Sequence, residues 1–158
     1  MKLKFYKIRP EAKIPVRAHL ADAGMDLFYC PDPHQQADCY WLPEGEYRIP
    51  PGASCLIPTG TRVEVPMEHM LEVKNKSGIA HEEKLLVGAC VIDPGYTGEI
   101  YVNLHNIGGT TRTIIPGQKI AQAVLVPIVM CEIEEVMHDL SEIETERGEG
   151  GFGSTGLI

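Results

Sequence analysis

No stretch of this sequence is long and apolar enough to cross a bilayer. The longest apolar run, Ile120 to Met130, is interrupted by Gln122 and Pro127, whereas a spanning helix needs about 20 predominantly apolar residues. The opening Met1-Lys2-Leu3-Lys4-Phe5-Tyr6-Lys7 alternates charge with bulk and lacks the continuous apolar core of a secretory signal, so the expectation is a soluble, unexported protein. No C-x-x-C pair occurs. Cys30, Cys39, Cys55, Cys90 and Cys131 are odd in number and widely spaced, which predicts five separate buried thiols in a reducing compartment and no zinc site or disulfide framework. Basic residues are in deficit: 14 Lys plus Arg against 22 Asp plus Glu give a net charge of -8, which argues against nonspecific binding to nucleic acid or an anionic membrane. Convincing turns of amphipathic helix and internal repeats are missing as well.

What is present suits one domain. Hydrophobic residues at 44% and charged residues at 23% of 158 are ordinary globular usage, which excludes a disordered chain. The charge is unevenly placed. Residues 131–150 carry eight acids and one base, Arg147, so a local charge of -7 leaves only -1 for the preceding 130 residues. Twelve Pro and sixteen Gly separate short segments whose apolar residues tend to alternate, the period of a half-buried strand. Leu3, Phe5 and Ile8 begin the series, and Arg62 to Val65, Met70 to Val73, Ile100 to Leu104 and Ile133 continue it. Two continuous apolar runs, Leu85 to Ile92 and Ala121 to Ile128, predict strands buried on both faces. One or two helical turns are expected from Ser77, whose hydroxyl would cap them. The pattern points to an all-β barrel or jelly-roll-like sandwich. From Arg147 to Gly156 five of ten residues are Gly, which reads as a flexible arm.

Two apparent motifs fail on chemistry. Gly148-Glu149-Gly150-Gly151-Phe152-Gly153 matches G-x-G-x-x-G but has no room after it for the helix of a dinucleotide fold, and it lacks the Lys of a P-loop. His81-Glu82-Glu83-Lys84-Leu85 has Leu where a zinc helix needs its second His. Other segments survive. Asp93-Pro94-Gly95-Tyr96 lies between Leu85 to Ile92 and Glu99 to Leu104, which predicts a hairpin with a tight turn. A carboxylate at the end of a buried strand is costly unless used, so Asp93 is a candidate general base, with a turn-capping Asp as the alternative. Arg147, Phe152, Ser154 and Thr155 offer a guanidinium and two hydroxyls for phosphate and a ring for a base, with a plain disordered tail as the reading that composition alone favours.

Five segments taken in order carry a resemblance. Ala23-Gly24-Met25-Asp26-Leu27, Lys76-Ser77-Gly78-Ile79-Ala80, Gly88 to Glu99, Gly117-Gln118-Lys119-Ile120-Ala121-Gln122 and Arg147 to Gly156 resemble the five motifs of the trimeric deoxyuridine triphosphatases. The resemblance implies a homotrimer of all-β subunits, each a jelly-roll-like distorted β-barrel of the β-clip type with one short helix and a flexible Gly-rich C-terminal arm. Residues 1–140 would form the barrel and 141–158 the linker and arm. It also implies cleavage of dUTP to dUMP and pyrophosphate with Mg²⁺ at sites shared between subunits. Such an enzyme keeps uracil out of DNA and supplies dUMP for dTMP synthesis. The implied location is the cytoplasm, or a host cell's cytoplasm or nucleus for a viral member, with neither nucleic acid nor membrane as a partner.

By the same resemblance Asp93 would deprotonate the attacking water, and Tyr96 would lie against the deoxyribose. Backbone groups of Gly88, Ala89, Cys90 and Val91 would read uracil. Lys76, in a position usually held by Arg, would meet phosphates with Ser77 and Gly78, and Gln122 would bond phosphate oxygens. Asp26 would hold water of the Mg²⁺ shell. Arg147, Phe152, Gly153, Ser154 and Thr155 would close over the nucleotide. Two other readings are weighed. dCTP deaminase shares the third motif but needs a Glu where this chain has Asn103, and an amide cannot act as that base. A non-catalytic binding protein on the same scaffold has no chemical reason to hold Asp93, Tyr96, Ser77, Gln122, Arg147 and Phe152 together.

Overall fold

A computed structural model of the chain describes residues 1–34, 40–42, 45–151 and 154. In chain order the strands are β1 (Lys4–Lys7), β2 (Met25–Phe28), β3 (Tyr40–Trp41), β4 (Tyr47–Ile49), β5 (Ser54–Pro58) and β6 (Thr61–Glu64). They continue with β7 (His69–Lys74), β8 (Leu85–Val87), β9 (Val91–Ile92), β10 (Tyr101–Asn106), β11 (Arg112–Ile114) and β12 (Lys119–Pro127). One short helix, α1 (Ser77–His81), and a 3-10 turn at Leu140–Glu142 complete the described elements. The strands pair antiparallel in the orders β1-β6, β5-β10-β8, β11-β4-β3 and β2-β12-β7-β9. The chain is all-β, as its alternating pattern predicts.

Alternation becomes burial most plainly in β10, where Val102, Leu104 and Asn106 turn inward. Asn106 is tolerated there because its amide is satisfied: Nδ2 donates to the carbonyls of Ile49 and Thr110, both at 2.8 Å, and Oδ1 accepts from Gly108 N at 2.9 Å. Leu27, Ile49, Ile57, Leu71, Ile114 and Ile120 belong to an aliphatic core closed to water. β12 is paired on one side with β2 and on the other with β7, yet of the apolar run Ala121 to Ile128 only Ala121 and Ala123 are buried. It is therefore not the strand buried on both faces that its composition predicts; pairing protects its backbone while Val124 to Val126 stay half-buried.

Four further expectations change. The run Leu85 to Ile92 is not one strand buried on both faces but two strands in different sheets, and in β9 only Ile92 is buried. Residues 88–90 turn the chain from one sheet to the next, where a Gly-Ala-Cys sequence offers little to pack. The expected hairpin is correspondingly wider: Val87 pairs with Leu104, while the tight turn at Asp93 to Tyr96 lies inside the loop. Ile133 forms no strand and is 93% exposed. Cys55 is disulfide-bonded, while Cys30, Cys90 and Cys131 are free thiols and Cys131 is exposed. This removes the five buried thiols and the support they gave a reducing compartment, because sequence spacing does not report which Cβ atoms approach in space. Cys39 lies outside the described residues. Among the described residues, no helix is long and apolar enough to cross a membrane.

Candidate active site

The first group of site residues gathers at one end of the four-stranded sheet. Gln122 stands opposite Asp26 on β2 and Lys74 on β7. A bulge between Lys119 and Ala121 breaks the alternation of β12, leaving Ile120 and Ala121 both buried. Lys119 and Gln122 consequently both escape the core, and Lys119 Nζ comes within 2.6 Å of Asp26 Oδ2. Lys76 Nζ donates to Asp26 Oδ1 at 2.8 Å. Burial raises the pKa of the Asp26 carboxyl, but the bonds from Lys119 and Lys76 outweigh it and hold it below the ordinary Asp value. Gln122 Nε2 donates to the Asn75 carbonyl at 2.9 Å, and Asn75 Oδ1 accepts from Val87 N at 2.7 Å. Gly24 leaves the space that Gln122 occupies, since a Cβ on it would lie 1.9 Å from Gln122 Oε1.

α1 begins at Ser77, as the sequence suggests, but its cap differs. Lys76 is the N-cap residue, in extended conformation, and no side chain caps the helix. Ser77 and Gly78 are exposed. The Ser77 hydroxyl belongs to the first helical residue and so cannot reach forward as a cap would.

A second group lines a cavity of about 170 Å³ walled by Val73, Ala89, Cys90, Val91, Asp93, Tyr96 and Glu99, among others. β9 is the edge strand of its sheet. Val73 N donates to Cys90 O at 2.7 Å, which puts Cys90 among the residues bonded to β7; Val91, one residue on, turns its N–H and C=O toward the outer edge. The neighbouring peptide groups are spent internally. Gly88 N donates to Asn103 O at 2.9 Å, and Ala89 N to Asn103 Oδ1 at 3.3 Å. A Cβ on Gly88 would sit 2.2 Å from Asn103 Oδ1, so this close approach requires glycine.

The turn after β9 closes through Tyr96 N to Asp93 O at 3.2 Å, with Gly95 at φ +88°. Asp93 is exposed, which corrects the expectation of a carboxylate pressed against a buried strand: the two-residue strand ends before it. Tyr96 donates its hydroxyl to Glu99 O at 2.9 Å and keeps its ring at the cavity rim. Burial and then the charge of Glu99 raise the Tyr101 phenol above its usual pKa, so it stays neutral in physiological conditions.

Asp26, Lys76 and Gln122 thus converge, as do Ala89 to Val91, Asp93 and Tyr96. Among the described residues, no hydrogen bond or ion pair joins Asp93 or Tyr96 directly to Asp26, Lys76, Ser77 or Gln122. Arg147 Nε donates to Gly150 O at 2.8 Å and Ser154 N to Gly151 O at 2.8 Å, both local bonds of the arm. Phe152, Gly153 and Thr155 lie outside the described residues. Lys119 and Asn75 are the residues that sequence reasoning missed. Lys119 stands inside the fourth segment, but only the bulge shows that it faces Asp26.

A family model for dUTPase matches residues 10–156. The chain belongs to the dUTPase family. Among its relatives in that family, the deoxyuridine 5'-triphosphate nucleotidohydrolase of Gloeothece citriformis is 40% identical over 159 residues, covering 99% of this chain and 98% of the relative. That of Clostridium kluyveri is 40% identical over 160 residues and covers 100% of both. The dUTPase of Staphylococcus bacteriophage 80alpha with dUPNHPP superposes with a TM-score of 0.81 at 25% identity, covering 99% of each chain. A mutant dUTPase from phage phi11 of S. aureus, which coordinates a structural Mg(II) ion, gives a TM-score of 0.74 at 22% identity over 89% of this chain and 99% of that one. The dUTPase fold shared with these neighbours is the jelly roll.

Proposed function

We propose that this chain hydrolyses dUTP to dUMP and pyrophosphate, with Asp93 directing a water molecule onto the α-phosphate. The observation that carries the reading is the cavity beside β9, whose rim brings together the outward peptide edge of Val91, the Tyr96 ring and the exposed Asp93 carboxylate. A donor and an acceptor on one strand edge suit the alternating carbonyl and N–H groups of uracil, and the Tyr96 ring is placed to meet a sugar. Asp93, two residues beyond Val91 and in the same turn as Tyr96, would lie beside an α-phosphate linked to that sugar.

Lys76, Ser77, Gly78 and Gln122 are proposed to receive the phosphates. Lys76 would exchange Asp26 for phosphate oxygens, while Lys119 keeps the buried Asp26 carboxylate paired. Arg147, Phe152, Gly153, Ser154 and Thr155 would close from the arm formed by residues 141–158, leaving the barrel of residues 1–140 in place. The reaction would remove uracil nucleotides from the DNA precursor pool in the cytoplasm.

Among the described residues there is no group of three or more His, Cys, Asp or Glu that could hold a metal ion. Mg²⁺ is therefore proposed as an ion carried mainly by the triphosphate, with Asp26, already the focus of two cations, holding water of its shell. When bound there it would neutralise phosphate charge. A homotrimer with shared sites is proposed because the phosphate group of residues and the cavity group are not directly bonded within one chain. The exposed apolar side chains of Val129, Met130, Ile133 and Met137 support a partner subunit. The reading is tested by incubating the protein with each common nucleoside triphosphate and Mg²⁺ and identifying products. dUMP and pyrophosphate from dUTP alone are expected; ammonia from dCTP, or no turnover of dUTP, would overturn it.

A further inference from the structure

A buried ion pair at the wall of the cavity takes no part in the chemistry above. Arg9 follows β1 and its side chain is 14% exposed; its partner Glu99 is 8% exposed. The guanidinium grips both carboxylate oxygens, Nη1 donating to Oε2 at 3.0 Å and Nη2 to Oε1 at short range. Nη2 also donates to Cys30 O at 3.2 Å, and Nη1 lies 3.5 Å from Asp32 Oδ2. From the other side Gly60 N donates to Glu99 Oε1 at 2.6 Å. Burial disfavours the charged guanidinium, but its bonds to Glu99 and Cys30 outweigh that cost and raise its pKa.

This arrangement is a modest source of stability, because both charges give up water, but a strong source of geometry, because a planar fork fixes the carboxylate in direction as well as distance. What it fixes matters to the cavity. The carbonyl of the same Glu99 accepts the Tyr96 hydroxyl, and a Cβ on the intervening Gly98 would lie 2.3 Å from that hydroxyl. Tyr96 is 46% exposed, so its hydroxyl bond to residue 99 is what sets how far its ring reaches into the cavity. Arg9 is thus connected to the cavity through two bonds, guanidinium to Glu99 carboxylate and Glu99 carbonyl to Tyr96 hydroxyl.

We propose that Arg9 is a positioning residue for sugar discrimination, fixing the Tyr96 ring through Glu99 so that a deoxyribose fits and a ribose 2′-hydroxyl does not. This rests on the dUTP reading above. A loosened clamp would let residues 96–99 retreat and make room for the extra hydroxyl. Loss of a merely structural residue would instead lower turnover of dUTP and UTP together.

The test compares kcat/KM for dUTP and for UTP in the parent protein, Arg9→Lys, Tyr96→Phe and the double variant, with thermal melting of each. Arg9→Lys keeps the charge but loses the fork; Tyr96→Phe keeps the ring but loses the bond to Glu99. Each is expected to lower the dUTP-over-UTP ratio about tenfold, and the double variant no more than about tenfold, since both act along one path. If Arg9→Lys does not fold, Glu99→Gln takes its place under the same criteria. A ratio within about twofold of the parent in either single variant, or a loss above about thirtyfold in the double, overturns the positioning role. A parent protein that hydrolyses UTP as fast as dUTP overturns the dUTP reading instead.

Discussion

Asp93 and Gln122 differ in how their neighbours hold them, and the difference sets what substitution should do. Asp93 is an exposed carboxylate at a turn, so Asp93→Asn should fold and bind a nonhydrolysable dUTP analogue within about threefold of the parent. Its kcat should fall about 10²–10⁴-fold, the usual worth of a positioned base. Isothermal titration together with steady-state turnover checks both halves. Gln122 is held by its bond to Asn75 O and by the space that Gly24 leaves. A Gly24→Ala Cβ would press on the end of a flexible side chain, so Gln122 should rotate away rather than unfold the sheet. The expected result is a melting temperature lowered by only a few degrees, corresponding to about 1 kcal/mol, with a clear rise in KM for dUTP. A large loss of stability with KM unchanged would contradict that account. Asp93, Tyr96 and Gln122 stand out in the sequence as candidates because their neighbours form short contiguous motifs. Lys119, Asn75, Arg9 and Glu99 were not assigned roles there, because their significance comes from partners between 47 and 93 residues away.

Among the elements, β12 links the two strands that bear Asp26 and Lys74. Its apolar run, Ala121 to Ile128, predicts a strand buried on both faces; it is paired on both sides, but of that run only Ala121 and Ala123 are buried. Its bulge was not legible, since nothing in Lys-Ile-Ala-Gln distinguishes a bulged strand from a regular one until the partner's register is known. The split of Leu85 to Ile92 into β8 and β9 had a similar cause: continuous hydrophobicity marks burial, not which sheet a residue joins. The bulge brings Lys119 to Asp26, and this predicts a pH dependence. Asp26 has a folded-state pKa below its ordinary value. Its ion pairs therefore add stability that is fully present above the unfolded value of about 3.9 and is lost as the pH falls through the lower folded value. Asp26→Asn should melt below the parent at pH 7, and the gap between the two should shrink toward about pH 2.5. Melting curves at both pH values check this; a gap that widens in acid would show that the lysines do not stabilise the charged form.

For the whole molecule, the all-β class was legible from Pro and Gly spacing and alternating strands, whereas the four-sheet arrangement depends on pairings that no local pattern encodes. The charge of -8 has a sharper meaning once placed. Most of it belongs to residues 131–150, of which all but Gly150 are exposed, so the first 130 residues, which carry Lys76, are nearly neutral. Deleting residues 147–158 should leave the melting temperature of the barrel within a few degrees and lower kcat/KM by at least about 10²-fold, as expected if the arm completes the site. Full activity in the truncated protein would refute that role. The central claim, water attack at the α-phosphate of dUTP, is tested most directly by turnover in ¹⁸O-labelled water with mass analysis of both products. The account predicts one labelled oxygen in dUMP and none in pyrophosphate; label in pyrophosphate, or release of any other product pair, would contradict it.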